Sequence, residues 1–102
     1  MAVSVMIRRK VIDTDTANRL APLIVQLRSL ATKQPGYVTG RTFRSLNDPS
    51  EFLVMSTWHS LDDWNRWWKS DQRMQLQKEV NDLLGEETNY RVYESLAGGI
   101  IP

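Results

Sequence analysis

Residues 51–58, EFLVMSTW, alternate like a β-strand yet are apolar on both sides. Phe52, Val54 and Trp58 share one face, while Leu53 and Met55 share the other. A strand must hydrogen-bond within a sheet, and apolar side chains on both faces require that sheet to be covered twice. The stretch NYRVYE repeats the pattern, with Tyr90 and Val92 on one side and Tyr93 on the other. A chain of 102 residues makes a single domain, and its helices supply one covering layer. The second layer is most simply another copy, so the pattern predicts a homodimer with sheets packed face to face.

The remaining elements follow from periodicity and caps. AVSVMIRRKV alternates Val3, Val5 and Ile7 with Ser4, Met6 and Arg8, which predicts a first strand. Asp13, Asp15 and Thr16 offer alternative N-caps for a helix whose apolar stripe is Leu20, Leu23, Ile24, Leu27, Leu30 and Ala31. Pro22 lacks an N–H, so it is expected in or near the first turns with a local bend. Pro35-Gly36 ends the helix. YVTGRTFRSL and EFLVMSTWH then read as a hairpin around NDPS.

Ser60 with Asp62 and Asp63 reads as a helix start, and Leu61, Trp64, Trp67 and Trp68 follow on one face. From Ser70 the phase changes: Leu76, Val80, Leu83 and Leu84 would point away from the tryptophans on a continuous helix. A break near Lys69–Asp71, with Ser70 capping a second helix and Gly85 ending it, removes the conflict. TNYRVYESL is the last strand, and AGGIIP is an apolar tail expected to pack on the partner. The order is β-α-β-β-α-α-β, an α+β ferredoxin-like sandwich with an antiparallel sheet, one domain over residues 1–102 with 97–102 as its tail.

Composition narrows the function classes. There is no cysteine and one histidine, so thiolate sites, disulfides and multi-histidine metal centres are excluded. A net charge of +1 and the short run Arg8-Arg9-Lys10, read as a solvated strand end, do not indicate nucleic acid. No segment is apolar for long enough to span a bilayer, so neither membrane helix nor signal peptide is expected, and a cytoplasmic location is the default.

The segment from Gln34 to Ser95, above all PGYVTGRTFRSL, FLVMSTWHSLDDWNRWWKSD and YRVYES, resembles the antibiotic biosynthesis monooxygenase family of the dimeric α/β-barrel superfamily. With the first strand and helix in place, the similarity covers nearly the whole chain. One branch of that family is similar to cofactor-free monooxygenases that oxidise phenols or quinols with O₂. Another binds and degrades haem, with an Asn on the first strand and a Trp and a His around the second helix. By this resemblance Trp67 falls at the tryptophan and Gln77 at the axial histidine, and the first strand contains no Asn. Haem degradation of that type is therefore not expected, since a neutral amide is a poor iron ligand. No cofactor and no metal are expected.

Several residues are candidates for a site. The face of Trp64, Trp67 and Trp68 either seats a short helix on the sheet or forms an aromatic wall around a flat ligand, with Trp67 facing the ligand by resemblance. Tyr37 is a further candidate for ligand contact. Cofactor-free oxygenation needs a base, donors for an oxyanion and a dry pocket. The candidates are His59 as base or rim donor, Arg41 as donor if its strand position points inward, and Asn81 near the apolar stripe of the last helix, with Tyr90 and Tyr93 as further polar groups. Three functions stay open: a cofactor-independent monooxygenase of a flat aromatic, a non-catalytic dimeric module binding a small hydrophobic ligand, and haem binding through unusual ligation.

Overall fold

A computed structural model describes residues 2–96. The elements are β1 (Val3–Lys10), α1 (Thr14–Ala31), β2 (Tyr37–Arg44), β3 (Glu51–Trp58), α2 (Leu61–Trp68), α3 (Asp71–Leu84) and β4 (Asn89–Glu94). The strands form one antiparallel sheet in the order β2-β3-β1-β4, the ferredoxin-like arrangement. The AGGIIP tail and its expected partner contact lie outside the described residues.

Local chemistry explains where the helices begin and end. Of the possible caps for α1, Asp13 takes the position, its carboxylate accepting from Thr16 N at 2.7 Å. Ser60 caps α2 reciprocally: its hydroxyl accepts from Asp63 N at 3.1 Å and donates to Asp63 Oδ2 at 2.8 Å. Ser70 caps α3, and Gly85 ends it in the left-handed region at φ 74°. The helix break at Lys69–Ser70 thus stands where the phase conflict placed it. Pro22 departs from expectation, since it lies well past the first turns of α1. Both Pro22 and Asn18, whose carbonyl loses its helical donor there, are exposed, so the loss falls on the solvent side of the helix.

One face of the sheet carries the helices. Val3, Val5 and Trp58 from the sheet meet Leu20 and Leu27 of α1, Trp64 and Trp67 of α2, and Val80 of α3. Trp58 is 1% exposed, its ring edge-on to Tyr37 at 5.4 Å and to Trp64 at 5.7 Å. Truncating a tryptophan so placed to alanine costs about 3–5 kcal/mol, so this cluster is a principal anchor of the fold. The opposite face, bearing Met6, Leu53, Met55, Phe43 and Tyr93, has no covering layer within the described chain. Phe43 and Tyr93 are 38% and 48% exposed there.

Candidate active site

Between the sheet and its helices lies a cavity of about 70 Å³, open on one side. Trp58, Trp64, Trp67 and Tyr37 wall it, and its polar lining is Arg9, Arg73, Gln77, Ser56 and Tyr90, with Arg28 at the rim. Among the described residues no carboxylate and no imidazole lines it.

Arg9 reaches the cavity by simple alternation. It shares the face of Val3, Val5 and Ile7, and its register partner is Phe52. The expected solvated strand end therefore holds for Arg8 and Lys10, which pair with Glu51 and Asp48 at 3.2 and 3.3 Å, but not for Arg9. Its Nε is buried without a hydrogen-bond partner. Burial pushes the Arg9 pKa down, and the Tyr90 hydroxyl offsets part of that effect.

Arg73 enters from the first turn of α3 and is 7% exposed. Its Nε donates to the Trp68 carbonyl at 2.9 Å and its Nη1 to the Tyr90 hydroxyl at 3.2 Å. The guanidinium lies 4.2 Å from the Trp68 ring centre and 5.7 Å from that of Tyr90, a cation–π arrangement. Among the described residues neither Arg9 nor Arg73 forms an ion pair.

Tyr90 links the arginines to α3. Its hydroxyl donates to Gln77 Oε1 at 2.6 Å, and Gln77 Nε2 donates to Asn81 Oδ1 at 2.8 Å and to Thr88 Oγ1 at 2.7 Å. Burial raises the Tyr90 pKa, and the positive charges of Arg73 and Arg9 oppose that shift. The cavity therefore holds donors and cations, and its phenol stays protonated near neutral pH.

The other expected residues divide as follows. Trp64, Trp67 and Tyr37 line the cavity. Trp68 does not; it is 37% exposed and packs edge-on to Tyr90 at 4.7 Å. Leu61 and Trp68 occupy one flank of α2, so the helix buries only Trp64 and Trp67 of the four. Asn81 is half-buried and supports Gln77 without lining the cavity. His59 is exposed at the end of β3, where its N–H donates to the Gly36 carbonyl at 2.7 Å, and its ring does not line the cavity. Tyr93 lies on the uncovered face.

Arg41 also faces away from the cavity. A register shift between Tyr37 and Thr39 inserts an extra residue into β2, so Tyr37 opposes Trp58 while Arg41 opposes Met55. Arg41 instead packs 5.2 Å from the Phe43 ring on the uncovered face. Gly40 takes the inward position, where a Cβ would meet the Tyr37 hydroxyl at 2.6 Å. A histidine-ligated haem does not fit these residues: no imidazole lines the cavity among the described residues, and Gln77, which the family resemblance sets at the axial histidine, has both ends of its amide bonded.

Among solved structures the chain is similar to SnoaB, a cofactor-independent oxygenase from Streptomyces nogalater, at 13% identity and a TM-score of 0.79, covering 97% of each chain. Rv0793 from Mycobacterium tuberculosis aligns at 16% identity and a TM-score of 0.80, covering 97% of this chain and 99% of that one. A conserved protein from Methanosarcina mazei Go1 aligns at 16% identity and a TM-score of 0.81, covering 93% of each. These likenesses establish the shared fold. No curated protein sequence matches the chain significantly. The family model for antibiotic biosynthesis monooxygenase matches residues 2–79, most of the chain and all of its elements through most of α3, and the protein therefore belongs to the antibiotic biosynthesis monooxygenase family.

Proposed function

We propose that the protein is a homodimeric, cofactor-independent monooxygenase of a small phenol with a free ring position para to its hydroxyl. The observation that carries this reading is the convergence of Arg9, Arg73 and Tyr90 on an aromatic cavity without a carboxylate among its described lining residues. By charge, two guanidiniums favour the ionised form of a bound phenol and oppose the burial that keeps Tyr90 protonated, so a substrate phenol more acidic than tyrosine ionises first. That matters because the phenolate, unlike the phenol, is electron-rich enough to reduce O₂. With no imidazole or carboxylate in the described lining, a C–H acid would find no base, so the substrate ionises at oxygen and the proton leaves through the open mouth.

The electrons then come entirely from the substrate. A bond forms between the para carbon and one oxygen atom of O₂, that carbon loses its hydrogen as a proton, and the O–O bond breaks. One oxygen stays as a quinone carbonyl and the other departs as water, so one phenol and one O₂ give one quinone and one H₂O. Arg9 and Arg73 hold the negative oxygen, while Trp58, Trp64 and Trp67 keep the ring dry and oriented. The membership in this family and the likeness to an oxygenase described as cofactor-independent support the reading.

Oxygen consumption in the presence of 1-naphthol, with formation of 1,4-naphthoquinone followed by absorbance, tests it. One O₂ per quinone above the rate of autoxidation is expected, with loss of the excess in Arg73→Met. No excess across a panel of such phenols overturns the oxygenase reading. A second reading, a binding module without turnover, is favoured by the lack of a general base among the described residues of the cavity. Saturable quenching of the tryptophans without oxygen uptake would establish it instead. The apolar outer face of the sheet supports the homodimer, and sedimentation at micromolar concentration is expected to give twice the monomer mass.

A further inference from the structure

A second cavity, of about 160 Å³, lies beside the first under the N-terminal half of α1. Arg9, Ile24 and Val54 line both, so Arg9 stands at the junction of the two chambers. The rest of the second chamber is almost wholly apolar, with Val11, Ala17, Leu20 and Phe52 in its wall and no acidic group among the described residues. At the junction the Arg9 Nε is buried without a partner. A cation placed between two apolar chambers, with a donor unused, is costly unless an acceptor fills the place.

We propose that the two chambers form one binding site for a two-ring aromatic anion whose charged oxygen lies at mid-length against Arg9. The second ring occupies the chamber under α1, and the first lies among the tryptophans. This rests on the reading of the tryptophan-lined cavity as the substrate site, and it adds the substrate's size and the position of its charge.

The volumes agree with this division. A cavity of about 150 Å³ suffices for a benzene molecule, so the chamber of about 160 Å³ takes one ring. The chamber of about 70 Å³ is smaller, but both chambers are open on one side, so a ring in the smaller one extends to the mouth. Arg73 also lines the first chamber, where it bonds the Tyr90 hydroxyl, and adds its charge to that of Arg9 around the region where the oxygen sits.

Calorimetric titration with benzoate, 2-phenoxybenzoate and methyl 2-phenoxybenzoate tests the proposal. 2-Phenoxybenzoate carries its carboxylate on one ring, ortho to the ether link to the other, so the charge lies near mid-length, and its methyl ester has nearly the same shape without the charge. We expect the acid to bind at least tenfold more tightly than the ester, as a charge-assisted hydrogen bond would provide, and at least tenfold more tightly than benzoate. In Arg9→Met the preference for acid over ester should vanish while the ester still binds, which also shows that the variant is folded. In Ala17→Leu, which fills the second chamber, the preference for 2-phenoxybenzoate over benzoate should vanish while benzoate still binds through the first chamber. Equal affinity of acid and ester in the wild type, an undiminished two-ring preference in Ala17→Leu, or no binding of any of the three at millimolar concentration overturns the proposal. None of these compounds is a free phenol, so the result stands whether or not 1-naphthol consumes oxygen.

Discussion

Replacing Tyr90 with phenylalanine removes one oxygen atom and keeps the ring, and the consequences can be worked from its partners. The hydroxyl donates to Gln77 Oε1 at 2.6 Å and accepts from Arg73 Nη1 at 3.2 Å. Gln77 is 6% exposed and Arg73 7%, so each is left with a buried polar group lacking its partner. A buried group stripped of its hydrogen bond costs about 1–3 kcal/mol. The cavity beside them admits water that replaces part of the loss, which places the net effect at about 2 kcal/mol. For a domain of this size that lowers Tm by roughly 8–12 °C. Urea denaturation and thermal melts at one fixed protein concentration measure it.

The same variant has a pH signature. Burial raises the Tyr90 pKa above its ordinary 10.0, so the folded state holds that proton more tightly than the unfolded chain. The contribution is complete below pH 10 and is lost as the pH climbs from 10 through the raised folded value. Wild-type stability should therefore fall in that window relative to Tyr90→Phe, and the gap between the two should narrow. A destabilisation below about 0.5 kcal/mol, with no difference in pH slope, would refute the inference that Tyr90 joins Arg73 to Gln77 in a water-poor network.

Three further outcomes follow from other parts of the molecule. Gly36→Ala places a side chain at φ 84° and drives its Cβ into the Asp63 carboxylate, so a loss of about 2 kcal/mol or more is expected in urea melts; a neutral result would disprove the close approach. Ser60→Ala removes the reciprocal cap of α2 and should cost about 1 kcal/mol, with Ser60→Thr, whose hydroxyl can also accept and donate, recovering most of it. Hemin titration of the wild type should show no Soret shift of the kind axial ligation produces, because both ends of the Gln77 amide are engaged; a shift abolished by Gln77→Leu would contradict this.

How much of the site was legible in the sequence depended on how far apart its parts lie. Helical spacing marked Trp64, Trp67 and Trp68 as one face, the family resemblance singled out Trp67, and the conflict between two apolar stripes marked the break before Ser70. Arg9 could have been found, because strand alternation puts it with Val3, Val5 and Ile7; its charge suggested solvent instead. Arg41 follows the parity of Tyr37, which points it inward, and only the bulge at Tyr37/Thr39 reverses it. Gln77 entered the sequence reading solely as the residue at an axial position, with no sign of its bonds to Tyr90 and Thr88.

Local patterns in the sequence set the order of the elements, the caps at Ser60 and Ser70 and the Gly85 stop, and narrowed the cap of α1 to a few residues. These depend on neighbours within a few residues, or on a period that every residue of a segment repeats. The tertiary structure alone decided that Arg9, Arg73, Gln77 and Tyr90 meet around one cavity, and that His59 and Arg41 stay outside it. Those groups come from β1, α3 and β4, and no local rule sets the helix packing and strand register that bring them together.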